Sequence, residues 1–230
     1  MPIWLRRRKP DLQEAMDAPD CPPDWLANTY RDFAQVNQRV SGWERIFHRH
    51  IRPVLSEPHR TYTLLDIGFG GGDIPLLLHN LAARCGVQLR IHAIDPDPRA
   101  LAYVASRRWP DTIEFSCATP ASLLAADARY DVVISNHVLH HLPDAEVAAM
   151  MRDAGCLARR RVCFNDLARS DWAWILFGLG TAGRFPRSYI RSDGLRSIQR
   201  AFTQKELQQL VPAGWLVHRT FPFHLLAVGP

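Results

Sequence analysis

The sequence predicts an α/β chain: a doubly wound, mostly parallel sheet of seven strands, with helices before it and a helical insertion after the fifth strand. Three observations carry this. From Thr63 onward, short apolar runs alternate with amphipathic stretches, the order that builds a parallel sheet. The run Leu64-Leu65-Asp66-Ile67-Gly68-Phe69-Gly70-Gly71-Gly72-Asp73 reads as a buried strand, a tight turn and a helix start. A further acid, Asp95, closes the next apolar run, Leu89 to Ile94.

Residues 1–24 hold Pro2, Pro10, Pro19, Pro22 and Pro23 and read as irregular. Trp25 to Ile51 reads as two helices. Leu26, Tyr30, Phe33 and Val36 fall at helical spacing, Ser41-Gly42 interrupts, and Trp43, Ile46, Phe47 and Ile51 resume it. Strands are expected at 63–67, 89–94, 112–116, 131–135 and 160–165, and helices at 73–85, 97–107, 119–126 and 144–157. Thr203 and Glu206 form a capping box that opens a helix running to Val211. Strands at 215–220 and 223–228, turning near Pro222, close the chain as a hairpin with one antiparallel strand. Domain limits follow: 1–59 as an N-terminal helical lid, and 60–230 as the main domain, with 167–202 as an insertion over the ligand.

The chain has 230 residues, 47% of them hydrophobic, enough for one sizeable core. Its five cysteines are odd in number and never spaced Cys-x-x-Cys, which argues against disulfide and metal frameworks and for a cytoplasmic location. The basic start, Arg6 to Lys9, is followed by acidic, proline-rich sequence rather than an apolar run, unlike a secretory signal. No apolar stretch is long enough to cross a bilayer. The net charge of +5 is spread thinly. Arg159-Arg160-Arg161 sits where a helix would end and would complement its dipole, so a nucleic-acid partner is not expected.

Glycines in the Gly68–Gly72 turn let backbone N–H groups approach a ligand. A carboxylate such as Asp95 at the tip of the second strand is placed to hold ribose hydroxyls. The acids Asp66 and Asp73, on either side of the glycines, would repel a pyrophosphate but suit a cationic ammonium. This Asp-x-Gly-x-Gly-Gly-Gly-Asp run resembles the first motif of class I S-adenosylmethionine-dependent methyltransferases. The resemblance covers about residues 60–230 and implies the Rossmann-like methyltransferase fold with S-adenosyl-L-methionine as cofactor. It places Asp66 near the methionine amino group, Gly68, Gly70 and Gly72 under the cofactor, Asp73 beside them, and Asp95 with Pro96 on the ribose. Cys117 and Ala118 fall where the family's third strand meets adenine. The family's acid is missing there, so backbone groups or Thr119 would take that role.

The fourth strand runs into Ser135-Asn136-His137-Val138-Leu139-His140-His141-Leu142. This resembles the Leu-His-His-Leu stretch of small-molecule methyltransferases related to ubiquinone and menaquinone biosynthesis. Asn136 and His137 leave the strand on the cofactor side. On a helix, His140 would share the face of His137 while His141 points elsewhere. His137 and His140 are the first candidates for a base, and Asp166, at the end of the fifth strand, the second. No metal is expected, because the three histidines have no carboxylate on their face. Trp172, Trp174 and Phe177 of the insertion, with Trp25, Tyr30 and Phe33, predict a small aromatic acceptor of phenolic, quinone-like or polyketide-derived type.

Other readings are an RNA or protein methyltransferase and a non-catalytic cofactor-binding protein on the same fold. Ser135-Asn136-His137-Val138 departs from the Asn/Asp-Pro-Pro-Tyr/Phe run of base N-methylating enzymes. A nicotinamide-dependent oxidoreductase is opposed by the acids around the glycines. Acceptor identity, oxygen against carbon methylation, and oligomeric state stay open.

Overall fold

The computed structural model describes residues 2–230; Met1, the first residue of the expected lid, lies outside them. A proline-opened helix α1 (Pro23–Val40) is followed by α2 (Trp43–Ile46), which continues as one π-helical turn, Phe47–Ile51. The break between them is Ser41-Gly42, as the spacing predicts; Gly42 takes a φ of 72°. Alternation then begins: β1 (Thr61–Ile67), α3 (Asp73–Arg84), β2 (Gln88–Asp95), α4 (Pro98–Ala105), β3 (Ile113–Cys117), α5 (Pro120–Ala125) and β4 (Tyr130–Asn136). Next come α6 (Asp144–Leu157), β5 (Ala158–Leu167), α7 (Asp171–Gly180), α8 (Ile190–Arg200), α9 (Gln204–Leu210), β6 (Leu216–Thr220) and β7 (His224–Gly229).

The seven strands form one sheet in the order β3-β2-β1-β4-β5-β7-β6. Strands β1 to β5 pair in parallel, and β7 is antiparallel to both β5 and β6. The order reverses between β1 and β4, which opens a crevice at their C-terminal ends. Period-two alternation divides the core. Leu64, Val132 and Ile134 face Trp43, Phe47 and Leu78 on one side. Leu65, Val133 and Phe164 face Val147, Met151 and Leu207 on the other. Among the described residues no helix is long and apolar enough to cross a membrane.

Two local expectations change. Helix α6 ends at Leu157, and the three arginines lie inside β5 rather than at a helix end. Arg160 pairs there with Glu57 and, at 3.3 Å, with buried Asp131, which Arg60 also meets at 2.8 Å. The segment before α1 is irregular apart from one 3₁₀ turn, Ala15–Asp17, and is tied to the fold. The Arg8 guanidinium donates to Arg200 O at 2.6 Å and Leu142 O at 2.7 Å and lies over Phe202. Arg169 donates to Leu5 O at 2.9 Å and pairs with Glu206 of the capping box.

Candidate active site

The crevice holds a cavity of about 480 Å³. Its floor is the turn after β1. Gly68 has a φ of 82°, and a Cβ there would stand 2.4 Å from Val138 Cγ2, so glycine is required on both counts. The Gly68 N–H donates to Ile94 O at 2.7 Å, which ties the turn to β2. The Gly70 N–H donates to Asp95 Oδ2 at 3.0 Å and the Asp97 N–H to Asp95 Oδ1 at 2.9 Å. Each Asp95 oxygen keeps a further lone pair for a hydroxyl.

Three carboxylates surround this turn. Asp66 is buried at the end of β1, and its Oδ1 has no hydrogen-bond partner. Burial, then the neighbouring Asp73 and Asp95, push its carboxyl well above the usual range. Burial also raises Asp73 and Asp95. An orphaned buried carboxylate oxygen with two acids behind it fits a cationic ammonium and disfavours an anion. Gly68, Phe69, Gly70, Gly71, Asp73, Pro96 and Asn136 also line the cavity, whereas Gly72 caps α3 outside it. Cys117 and Ala118 do not line it: Cys117 is exposed, and Ala118 packs against the core. Thr119 caps α5, accepting the Ser122 N–H at 3.3 Å.

Helix α1 covers the turn. Tyr30 packs against Gly70 and Gly71, and Asn37 Nδ2 donates to Asp73 Oδ2 at 3.0 Å. Phe33 also lines the cavity, while Trp25 packs on Tyr189 outside it. Helix α1 therefore packs on the glycine turn itself. Of the insertion's Trp172, Trp174 and Phe177, Phe177 lines the cavity, over Gly194, whereas Trp172 and Trp174 are 66% and 39% exposed.

The other end of the cavity is polar. His137 follows β4 with a φ of 57°, which breaks the chain before one 3₁₀ turn, Leu139–His141. No helix therefore carries His137 and His140 on one face. His140 is buried; its Nδ1 donates to Asp166 Oδ1 at 2.6 Å and its backbone N–H to Asp166 Oδ2 at 3.0 Å. Burial works against the His140 imidazolium, but the Asp166 charge and hydrogen bond, with Glu14 in support, outweigh it and hold it at about 9. Burial likewise works against the Asp166 carboxylate, but His140 holds it well below the usual range. Asp166 reaches the cavity only through His140.

His137 Nε2 stands 3.0 Å from His224 Nε2, one ring donating to the other. Burial and then His224 lower His137 to about 3. Burial lowers His224 to about 4. His141, expected to point elsewhere, turns into the cavity and is 30% exposed, with its Nδ1 3.3 Å from Asp17 Oδ2. Its Nε2 lies 3.8 Å from Glu14 Oε1, and His140 Nε2 lies 3.6 Å from the same oxygen. The histidines thus have a carboxylate beside them, supplied from outside their own segment. Glu14 comes from the irregular N-terminal segment, is buried, and accepts the Ser197 hydroxyl at 2.8 Å. Burial would raise Glu14, but the imidazoles of His140 and His141 beside it hold it at about 2. One Glu14, one His140 and one His141 ligand atom lie within 4.8 Å of one another, a spacing open to a metal ion. The Arg200 guanidinium, 3.9 Å from Glu14 Oε1, already supplies positive charge there.

A protein-family profile described as "Methyltransferase domain" matches residues 64–160, from β1 into β5. A curated relative, the ubiquinone biosynthesis O-methyltransferase of Methylobacterium sp. (strain 4-46), is 30% identical over 174 residues. That match covers 72% of this chain and 64% of the relative, under two thirds of its length. Among solved structures, the plantazolicin methyltransferase BpumL, bound to a desmethylplantazolicin analogue and S-adenosylhomocysteine, superposes with a TM-score of 0.61. It is 11% identical, over 90% of this chain and 94% of that one. An O-methyltransferase family 2 protein from Planctomyces limnophilus, complexed with apigenin, also has a TM-score of 0.61, at 17% identity over 93% of this chain and 64% of its own. At these identities the structures speak for the fold. Residues 64–160 thus carry a methyltransferase-type domain, on a fold shared with a methyltransferase that was crystallised with S-adenosylhomocysteine.

Proposed function

We propose that this chain transfers a methyl group from S-adenosylmethionine to an oxygen or carbon of a small aromatic acceptor. The observation that carries the proposal is the orphaned Asp66 carboxylate beside the glycine turn, in a cavity continuous with His137, His140 and His141. The cofactor supplies an activated methyl on a cationic sulfur. Asp66 would take its ammonium, the backbone from Gly68 to Gly71 would lie against it, and Asp95 would hold the ribose. Tyr30, Phe33 and Phe177 give the cavity apolar walls suited to a flat acceptor. The named activity of the Methylobacterium relative and the apigenin held by the Planctomyces protein favour an aromatic hydroxyl compound. In this reading residues 1–59 and 167–202 close over the acceptor.

The protein's part in such a displacement is to align the nucleophile and, for a hydroxyl, to take its proton. His141 is the proposed proton acceptor. Its ring lines the cavity and is flanked by Asp17 at Nδ1 and Glu14 at Nε2, carboxylates that would favour the imidazolium formed when it takes a proton. His140 is held as a cation, and the His137 Nε2 is engaged by His224. No metal takes part in this reading, since protonated His140 and Arg200 already neutralise Glu14.

Incubation with methyl-labelled S-adenosylmethionine and a panel of phenols and hydroquinones tests the proposal. Label should pass to a panel member at a rate that EDTA leaves unchanged. A protein that binds the cofactor but labels only RNA or protein would refute the acceptor class. Loss of rate in EDTA with recovery on added magnesium would assign Glu14, His140 and His141 to a metal.

Two binding predictions arise here. Asp95→Ala should weaken S-adenosylmethionine binding about ten- to hundredfold, the roughly 1.5–3 kcal/mol expected of charge-assisted bonds; unchanged affinity in the folded variant would remove the ribose assignment. Binding should also release protons, because the raised Asp66 carboxyl must ionise to meet an ammonium. Affinity should therefore fall as pH drops. Calorimetry in buffers of different ionisation enthalpy reads the proton count, and heats that do not vary with buffer would contradict the pairing.

A further inference from the structure

We propose that the outer face of α7, together with the Ile3–Trp4 segment beside it, docks onto an anionic lipid bilayer. Trp172, Leu176 and Leu179 follow one another at four and three residues and so share one face of the helix. They are 66%, 52% and 71% exposed. Ile3 and Trp4, at 66% and 72%, extend this patch past the helix N-terminus. They are held there by the Asp171 carboxylate, which accepts the backbone N–H groups of Ile3, of Trp4 at 3.1 Å and of Leu5 at 2.9 Å. Packing on the fold does not account for these side chains. Phe177 occupies the inner side of α7, over Gly194. Contiguous exposed apolar surface marks an interaction site, and tryptophan favours the membrane–water boundary.

The charges at the two ends of the patch identify the partner. Arg6 and Arg7 are exposed beside Trp4. At the far end, the exposed Arg184 and Arg191 donate to Gly180 O at 3.4 Å and Gly178 O at 3.3 Å. A second copy of this chain laid on the patch about a two-fold axis would bring cationic ends against cationic ends. Anionic headgroups complement both ends, and the apolar face between them would sit at the acyl boundary as an interfacial helix does.

Co-sedimentation of the full chain with vesicles tests this. The protein should bind phosphatidylglycerol–phosphatidylcholine vesicles and bind phosphatidylcholine alone much more weakly, with the difference reduced by salt. The combined variant Trp4→Ser, Leu176→Ser, Leu179→Ser should lose about tenfold or more of that binding, while its melting temperature and S-adenosylmethionine affinity hold. Arg184→Gln with Arg191→Gln should lower the preference for anionic vesicles. No vesicle binding by the wild type, or undiminished binding by the folded triple variant, would overturn the proposal. So would a wild type that is dimeric in ultracentrifugation beside a monomeric triple variant, which would give the face to a second copy.

Discussion

Asp166→Ala is expected to lower the stability of the fold by about 3–5 kcal/mol, the usual cost of leaving one member of a buried ion pair alone. Both partners are buried, and the carboxylate accepts three bonds: from His140 Nδ1, the His140 backbone N–H, and the Leu167 N–H at 2.6 Å. Asp166→Asn should cost less, because it keeps an acceptor oxygen and removes only the charge. The pair also sets a pH window. The Asp166 carboxyl is depressed in the fold, so its contribution is present above its unfolded value and is lost as pH falls. The His140 imidazolium is raised to about 9, so its contribution is complete below the unfolded 6.5 and fades as pH rises through about 9. Urea melts across the alkaline side should show wild-type stability declining over that interval and the Asp166→Ala variant losing little more. Equal stability of the two proteins at neutral pH would mean that His140 is neutral and unpaired.

The parts of this molecule that were legible in the sequence are those set by local pattern. Alternation of apolar runs placed the strands within a few residues. The acid-flanked glycines stood out because their conformations and charges are demanded by the turn itself. The histidine end of the cavity was less legible, for three physical reasons. Glu14 sits in a proline-rich stretch with no periodicity, and only its tertiary contacts with Ser197, His140 and His141 give it a role. A helix after His137 would point His141 elsewhere; the left-handed backbone of His137 and the single 3₁₀ turn that follows put His141 on the cavity instead. Helix α7 is apolar on every side, so period alone does not say that Phe177 faces in and Trp172 out. Tyr30 and Asn37 were visible as residues of α1, but their seats on the glycine turn and on Asp73 depend on how that helix docks.

His141→Ala is expected to reduce kcat for a hydroxyl acceptor by about a hundred- to ten-thousandfold, the range of a positioned general base, with S-adenosylmethionine affinity unchanged. Phenols titrate at about 10, so at neutral pH a proton must leave as the oxygen attacks. Among the cavity histidines, His140 Nε2 carries a proton while Asp166 holds the ring charged, and His137 is only weakly basic and turned to His224. His141 lines the cavity and is 30% exposed, with Asp17 3.3 Å from its Nδ1 and Glu14 3.8 Å from its Nε2. Asp17→Asn should therefore cost less than His141→Ala, since it loosens the ring without removing it. Exogenous imidazole should restore part of the rate to His141→Ala and none to Asp95→Ala, because only the first leaves a gap at a proton acceptor. Wild-type turnover by His141→Ala would mean that the acceptor arrives already ionised or is methylated on carbon, and the ring would then serve only to line the cavity.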